Sequence, residues 1–286
     1  GTRKKWAIGC GIGCGAFLSI LGLLVGGGIF ATKRIQERAE TMESSFDTVR
    51  VEFGESTDFT PPAHGFVGSD RMEAFFAARE AMQPLRVDLG GTLHTLDGEG
   101  VNFLAKAKAG FRLIPALMDF IEDRNHALTE AGMGLGEYQY IYTLLAYALC
   151  EKDLADGPGF TLVSDEESND DDGWRFNTGD EDEEDVRERR VRDLRSMINE
   201  FQTKVMENQL AALDEDFTDL GGLDREAWRS QLEAELTSLR EEGLKLMWED
   251  GLPAHLTSAL EPYRMRFEES YDPMISVLEM GLVDHD

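Results

Sequence analysis

Cysteine is scarce in this chain, and its placement matters more than its number. Of three cysteines, Cys10 and Cys14 fall inside one apolar run near the start, which leaves Cys150 alone in the remainder. An internal disulfide is therefore excluded there. Histidine is scarce too. None of the five histidines closes a Glu-x-x-His unit, so the paired units of a bundle di-metal site are missing. There is no Gly-x-Ser-x-Gly elbow, no phosphate loop and no dinucleotide fingerprint. Gly9, Gly11 and Gly13 alternate, but inside the apolar run, where no nucleotide binds. Positive charge is also in short supply: 28 basic residues face 56 acids, for a net charge of −28. A chain so acidic is repelled by nucleic acid and by anionic lipid headgroups.

The first 34 residues are the most informative part of what is present. Arg3, Lys4 and Lys5 precede an uncharged run from Trp6 to Ala31, which Lys33 and Arg34 close. As a helix this run would be about 39 Å long, against a hydrocarbon core of ~30 Å. It is too long for the apolar part of a secretory signal and no Ala-x-Ala pattern ends it, so an uncleaved anchor over residues 1–34 is expected. The tail before it is purely basic, whereas the far flank mixes Lys33, Arg34 and Arg38 with Glu37, Glu40 and Glu43. The expected topology is N-terminus in the cytoplasm and body outside, in the periplasm of a bacterial inner membrane. With the three leading basic residues set aside, 25 basic residues face 56 acids and the rest of the chain carries −31.

Within the anchor, Gly11, Gly15, Ser19, Gly22 and Gly26 recur at spacings of four, four, three and four. That spacing draws one small-residue stripe along a helix, a surface that lets another transmembrane helix approach the backbone. Ile35, Ala39, Met42, Phe46, Val49 and Phe53 continue at three- and four-residue spacing. They predict an amphipathic stalk, a docking face or lever, over a juxtamembrane segment 35–60 that ends at Pro61-Pro62.

Residues 61–286 read as an all-α body of several helices. Ser69-Asp70 predicts an N-cap for a helix carrying Met72, Phe75, Phe76 and Met82, with a kink at Pro84 and weakening at Gly90-Gly91. A long helix follows with Phe103, Ala107, Ile114, Leu117 and Ile121 on one face and Pro115 inside it. Glu137 to Cys150 is nearly all apolar and reads as a central helix, and four of the six tyrosines are in it. Their hydroxyls need partners if buried. Val191, Leu194, Ile198, Phe201 and Val205 mark another helix. Asp224 caps one with Trp228, Leu232 and Leu239, and a last helical region is interrupted at Asp272-Pro273. Five to seven helices are expected in a bundle. An acidic insertion spans 156–185, with a small hairpin pairing 160–163 and 174–176.

Two ligand patterns were tested in that body. Setting Gly173 at the centre of a calcium loop places Ser168, Asp170 and Asp172 at ligand positions, but the closing position falls on Gly179, which has no side-chain ligand. Asp119, Glu122, Asp123, His126 and Glu130 share one helix and have no second half. No catalytic residue, metal ligand or cofactor site is assigned, and Cys150 reads as an inert thiol.

Gly132-Met133-Gly134-Leu135-Gly136-Glu137-Tyr138, and Leu260-Glu261-Pro262-Tyr263-Arg264 with Tyr271-Asp272-Pro273, are similar to stretches of uncharacterised bacterial proteins with an N-terminal apolar segment and a helical body. The resemblance covers a small part of the chain and implies no activity. The expected function is a non-enzymatic accessory subunit of an inner-membrane complex, photosynthetic or respiratory. Its partners would be transmembrane helices of that assembly. The alternatives are a tethered acidic module that binds a basic soluble protein or a small ligand, and a tethered enzyme with polar groups converging near His126 or Tyr138.

Overall fold

The computed structural model describes residues 29–97, 103–158, 183–215, 220 and 222–281, and every regular element among them is helical. In chain order these are α1 (Ile29–Phe53), α2 (Ser69–Ala81), α3 (Gln83–Asp97), α4 (Phe103–Glu130), α5 (Leu135–Thr143), α6 (Glu183–Leu213), α7 (Arg225–Glu242), α8 (Ala254–Leu260), α9 (Arg264–Ser270) and α10 (Ser276–Met280). α5 runs on into a π-helical turn over Leu144–Leu149. The stripe residues Gly11, Gly15, Ser19, Gly22 and Gly26, the hairpin and the calcium-loop positions lie outside the described residues. No helix among the described residues is long and apolar enough to cross a membrane, and residues 6–28 of the expected anchor are not among them.

The amphipathic spacing after residue 35 does produce a helix, but one that begins at Ile29 and runs across the expected boundary at 34 without a break. Met42 and Val49 are buried where α1 packs along α4, and Phe46 and Phe53 are half-buried. This stretch of the expected docking face is thus covered by the chain's own helix. The side chains of Ile35 and Ala39 are not described.

Several boundaries differ from expectation for local reasons. Gly68, with extended backbone, is the N-cap of α2, and neither Ser69 nor Asp70 caps it. The predicted kink is a break at Met82. Pro84 then lies in the first turn of α3, where a missing N–H costs nothing. Gly90 and Gly91 are helical inside α3, and a methyl on Gly90 would lie 2.5 Å from Asp272 Oδ2, the end of a side chain from the segment after α9. Pro115 sits inside α4, which continues through it. Glu183 to Asp185, expected in the acidic insertion, form the start of α6. Asp224 caps α7 as predicted, its Oδ1 accepting from Ala227 N at 2.8 Å, and Gly243 ends that helix with φ +64°. The last helical region divides into α8, α9 and α10, which with the break at Met82 raises the number of helices above the five to seven expected.

One apolar core joins α2 through α10. Phe75, Phe120, Leu128, Tyr138, Tyr142, Val205, Leu232 and Phe267 are among its side chains shut off from solvent. The Gly132–Tyr138 stretch is the junction of the fold. Arg71 in α2 donates to Glu137 and to the Gly132 carbonyl at 2.9 Å. A methyl on Gly134 would lie 2.7 Å from Phe53 Cβ, and one on Gly136 would overlap the Ser56 carbonyl oxygen and lie 2.7 Å from Phe59 Cβ. Glycine there lets the first turn of α5 rest on the short 3-10 turn Ser56–Asp58.

Gly136→Ala is expected to destabilise the body by about 1–3 kcal/mol, because neither neighbour is the free end of a flexible chain. A urea midpoint lowered at unchanged slope would show it. An unchanged midpoint would mean that the α5 junction gives way without cost.

Candidate functional site

Positions 72, 75, 79, 82, 86, 89 and 93 alternate three and four apart along α2 and α3, and all are buried. Five are apolar, as the spacing demands; Arg79 and Arg86 are not. Both arginines are therefore carried into the core, with 1% and 3% of their surface exposed. A buried guanidinium is costly unless paired and hydrogen-bonded, and its partner comes from the far end of the chain. Glu279 in α10 is fully buried and accepts from Arg79 Nε at 2.7 Å through Oε1. Its Oε2 lies 3.2 Å from Arg86 Nη2. The Tyr138 hydroxyl of α5 donates to Oε1 at 2.6 Å. Both arginines also donate to the carbonyl of Ser270 at the end of α9. Arg79 is enclosed by the rings of Phe267, Tyr142 and Phe75, at 4.5, 5.5 and 5.7 Å from their centroids.

A second buried guanidinium centre adjoins the first. Arg124, on the apolar face of α4 between Leu117 and Leu128, is wholly buried and donates to the Leu278 carbonyl at 3.1 Å. Its other edge meets Asn125 Oδ1 at 3.0 and 3.2 Å. Asn125 Nδ2 donates to Ser45 Oγ of α1 at 3.0 Å. Gln139 Nε2 of α5 donates to the Met280 carbonyl at 2.7 Å. The open carbonyls at the end of α10 are thus met by side chains from α4 and α5, with a cation at the negative end of the helix. Gly281 completes the turn at φ +73°, and a methyl there would lie 2.6 Å from Arg124 Nη1.

Protonation follows burial. Burial lowers the Arg124 guanidinium to about 10, against a rise from Tyr138 and Glu279. For Arg79 burial is again the largest influence and pulls downward, but Glu279, Tyr138 and Tyr142 together outweigh it and the net direction is up. Burial first, then Glu279, raises Tyr138 and Tyr142 well above the usual phenol range. Tyr147 is raised by burial and by Tyr271, and Tyr140 by burial alone. Tyr138 and Tyr142 are four apart and share the face toward α10. Tyr140 points the other way, its ring tilted against Phe59 and its hydroxyl donating weakly to the Gly65 carbonyl at 3.4 Å. The π-helical turn carries Tyr147 over Met280, whose sulfur lies 3.9 Å from the hydroxyl. Arg79 Nη1, Arg86 Nε and the Tyr142 hydroxyl have no hydrogen-bond partner among the described residues.

The residues considered earlier as ligands do not gather. Asp123, His126 and Glu130 are exposed, Asp119 pairs with Arg38 at 3.3 Å, and no group of three or more potential metal ligands occurs among the described residues. Of the two foci expected for a tethered enzyme, Tyr138 lies in a polar cluster and His126 does not. Cys150 is half-buried, and burial pushes its thiol up to about 11, with Glu268 adding to the effect. His255 packs on Trp228 and Phe66, and burial lowers its pKa. Sequence reasoning found Tyr138 but missed Arg79, Arg86, Arg124 and Glu279. The available signal was a charge at an apolar position of a three-four stripe.

Four buried tyrosines and the half-buried Tyr271, all with raised pKa values, give a signed prediction. Their stability contribution is complete below about pH 10, the ordinary phenol value, and is lost as pH rises toward the folded values, about 12 for Tyr271 and raised above the phenol range for the others. Arg124 acts in the opposite sense from about 10 up to the ordinary guanidinium range, but it is one group against five. Tyrosinate absorbance near 295 nm should therefore grow cooperatively with loss of helical circular dichroism in alkali. Smooth titration of all six tyrosines near pH 10 with helix retained would contradict the burial. No protein-family model, no curated protein and no solved structure matches the chain.

Proposed function

We propose that this chain is a non-catalytic accessory subunit of a bacterial inner-membrane complex, photosynthetic or respiratory. It is held by the run from Trp6 to Ala31, with the helical body on the periplasmic side. The observation that carries the reading is α1, an unbroken helix from Ile29, at the end of the apolar run, to Phe53. Met42 and Val49 bury one face of its outer half along α4, and Ser45 joins it to Asn125 of that helix. A helix seated against the body in this way transmits the position of the anchor to it, as a bracket does. The buried ionisable groups are directed at one another and at backbone carbonyls, which suits a brace better than a reaction centre.

Contact with neighbours is assigned to the stripe Gly11, Gly15, Ser19, Gly22 and Gly26 rather than to Met42, Phe46 and Val49, which α4 already covers. Small residues at helical spacing favour close backbone packing where lipid offers no hydrophobic gain. The −31 charge beyond the anchor keeps the body soluble beside the bilayer.

Extraction of the native protein in mild detergent, followed by native-gel separation and mass spectrometry, should find it in a large assembly with defined partners. The paired substitution Gly15→Leu with Gly22→Leu should release it from that band while helical circular dichroism of the body is retained. A native protein that migrates alone, as a monomer or homodimer, would overturn the reading.

A further inference from the structure

The buried cluster is out of charge balance. Arg79, Arg86 and Arg124 are three cations, and among the described residues Glu279 is the sole carboxylate in ion-pair distance of any of them. The excess of positive charge lies inside a chain whose net charge is −28, so it is not a reflection of composition. Elsewhere arginines meet acids at the surface, as Arg266 does with Glu73 and Glu80, and Arg195 with Glu249. Hydrogen bonding is unbalanced in the same direction. Among the described residues Arg79 Nη1, Arg86 Nε and the Tyr142 hydroxyl, three donors of the cluster, have no partner, against one acceptor of the adjoining centre, Gln139 Oε1. Water can satisfy donors but cannot neutralise a guanidinium removed from solvent.

We propose that the cluster of Arg79, Arg86 and Tyr142 binds a small monovalent anion, a halide or a carboxylate no larger than formate. The side chains of Arg79 and Arg86 are only 2% and 3% exposed, so the ligand has to be small enough to be enclosed with them. Glu279 already occupies the Nε–Nη2 edge of Arg79, so the anion belongs on the Nη1 side. The anion supplies the missing negative charge, and Tyr142 adds a hydroxyl donor. The inference does not rest on the membrane assignment, since the cluster lies entirely within the body.

The test is thermal unfolding of the full chain in mild detergent, titrated with sodium chloride, bromide or formate against sodium gluconate at constant ionic strength. Binding to the folded state alone should raise Tm saturably, by roughly 5–10 °C at one hundred times the dissociation constant. Arg86→Met should abolish the chloride-specific rise. Tyr142→Phe, which leaves the ring in place, should shift the titration midpoint to higher chloride and so covers the case in which the arginine variant does not fold. Anomalous diffraction from bromide-soaked crystals should give a peak beside Arg79 Nη1. Equal Tm in chloride and gluconate, a chloride effect unchanged in Tyr142→Phe and Arg86→Met, or bromide found only at the surface would each overturn the proposal.

Discussion

The carboxylate of Glu279 is the constraint on which the rest of the body depends. Removed from water, it must be met by cations and donors with good geometry. Those groups lie 200 residues away in α2, on α3, and on α5. The short helix α10 has few residues with which to hold itself in place. Its position is set by what Glu279 pairs with, by Arg124 on the Leu278 carbonyl and by Gln139 on the Met280 carbonyl. The chain therefore closes its end onto its first half, and the core cannot be completed until it does. Breaking one side of such a buried pair typically costs about 3–5 kcal/mol, a large part of the stability of any single domain.

From this node the same chemistry extends outward. Arg124 reaches Asn125, Asn125 reaches Ser45, and Ser45 donates to the Met42 carbonyl within α1. The helix that leaves the apolar run is thus tied to the site where the chain ends. Burial of Met42 and Val49 along α4 adds the apolar part of the same joint. On this account the body is a rigid extension of its own first helix. Its acidic surface is a separate property, which concerns solubility and neighbours rather than fold.

Helical class, most helix positions and the Asp224 cap were legible in the sequence, because three-four periodicity and capping are local signals. The breaks were less so. Met82 gave no sign that it would end α2, and the π-helical turn at Leu144–Leu149 looks like continuing α-helix in a run that is apolar on every side. Of the central cluster only Tyr138 was legible. Arg79 and Arg86 sit on the apolar stripe through Met72, Phe75, Met82, Leu89 and Leu93, and a charge at such a position states that a partner exists without saying where. Glu279 is one of 56 acids, and nothing local distinguishes it from the solvated ones. Long-range pairing of this kind is decided by the closed fold. The small-residue stripe from Gly11 to Gly26, by contrast, is visible in the sequence and lies outside the described residues.

The most direct test of the central claim is a double-mutant cycle between Arg79 and Glu279, using Arg79→Met and Glu279→Leu and equilibrium unfolding of the four proteins. If the pair organises the body, each single change costs about 3–5 kcal/mol, and the double variant recovers well over 1 kcal/mol of the summed loss, because the second change removes a charge stranded by the first. If the two losses are small and add to within about 0.5 kcal/mol, the two groups act independently, and the claim that Glu279 fixes the fold is contradicted.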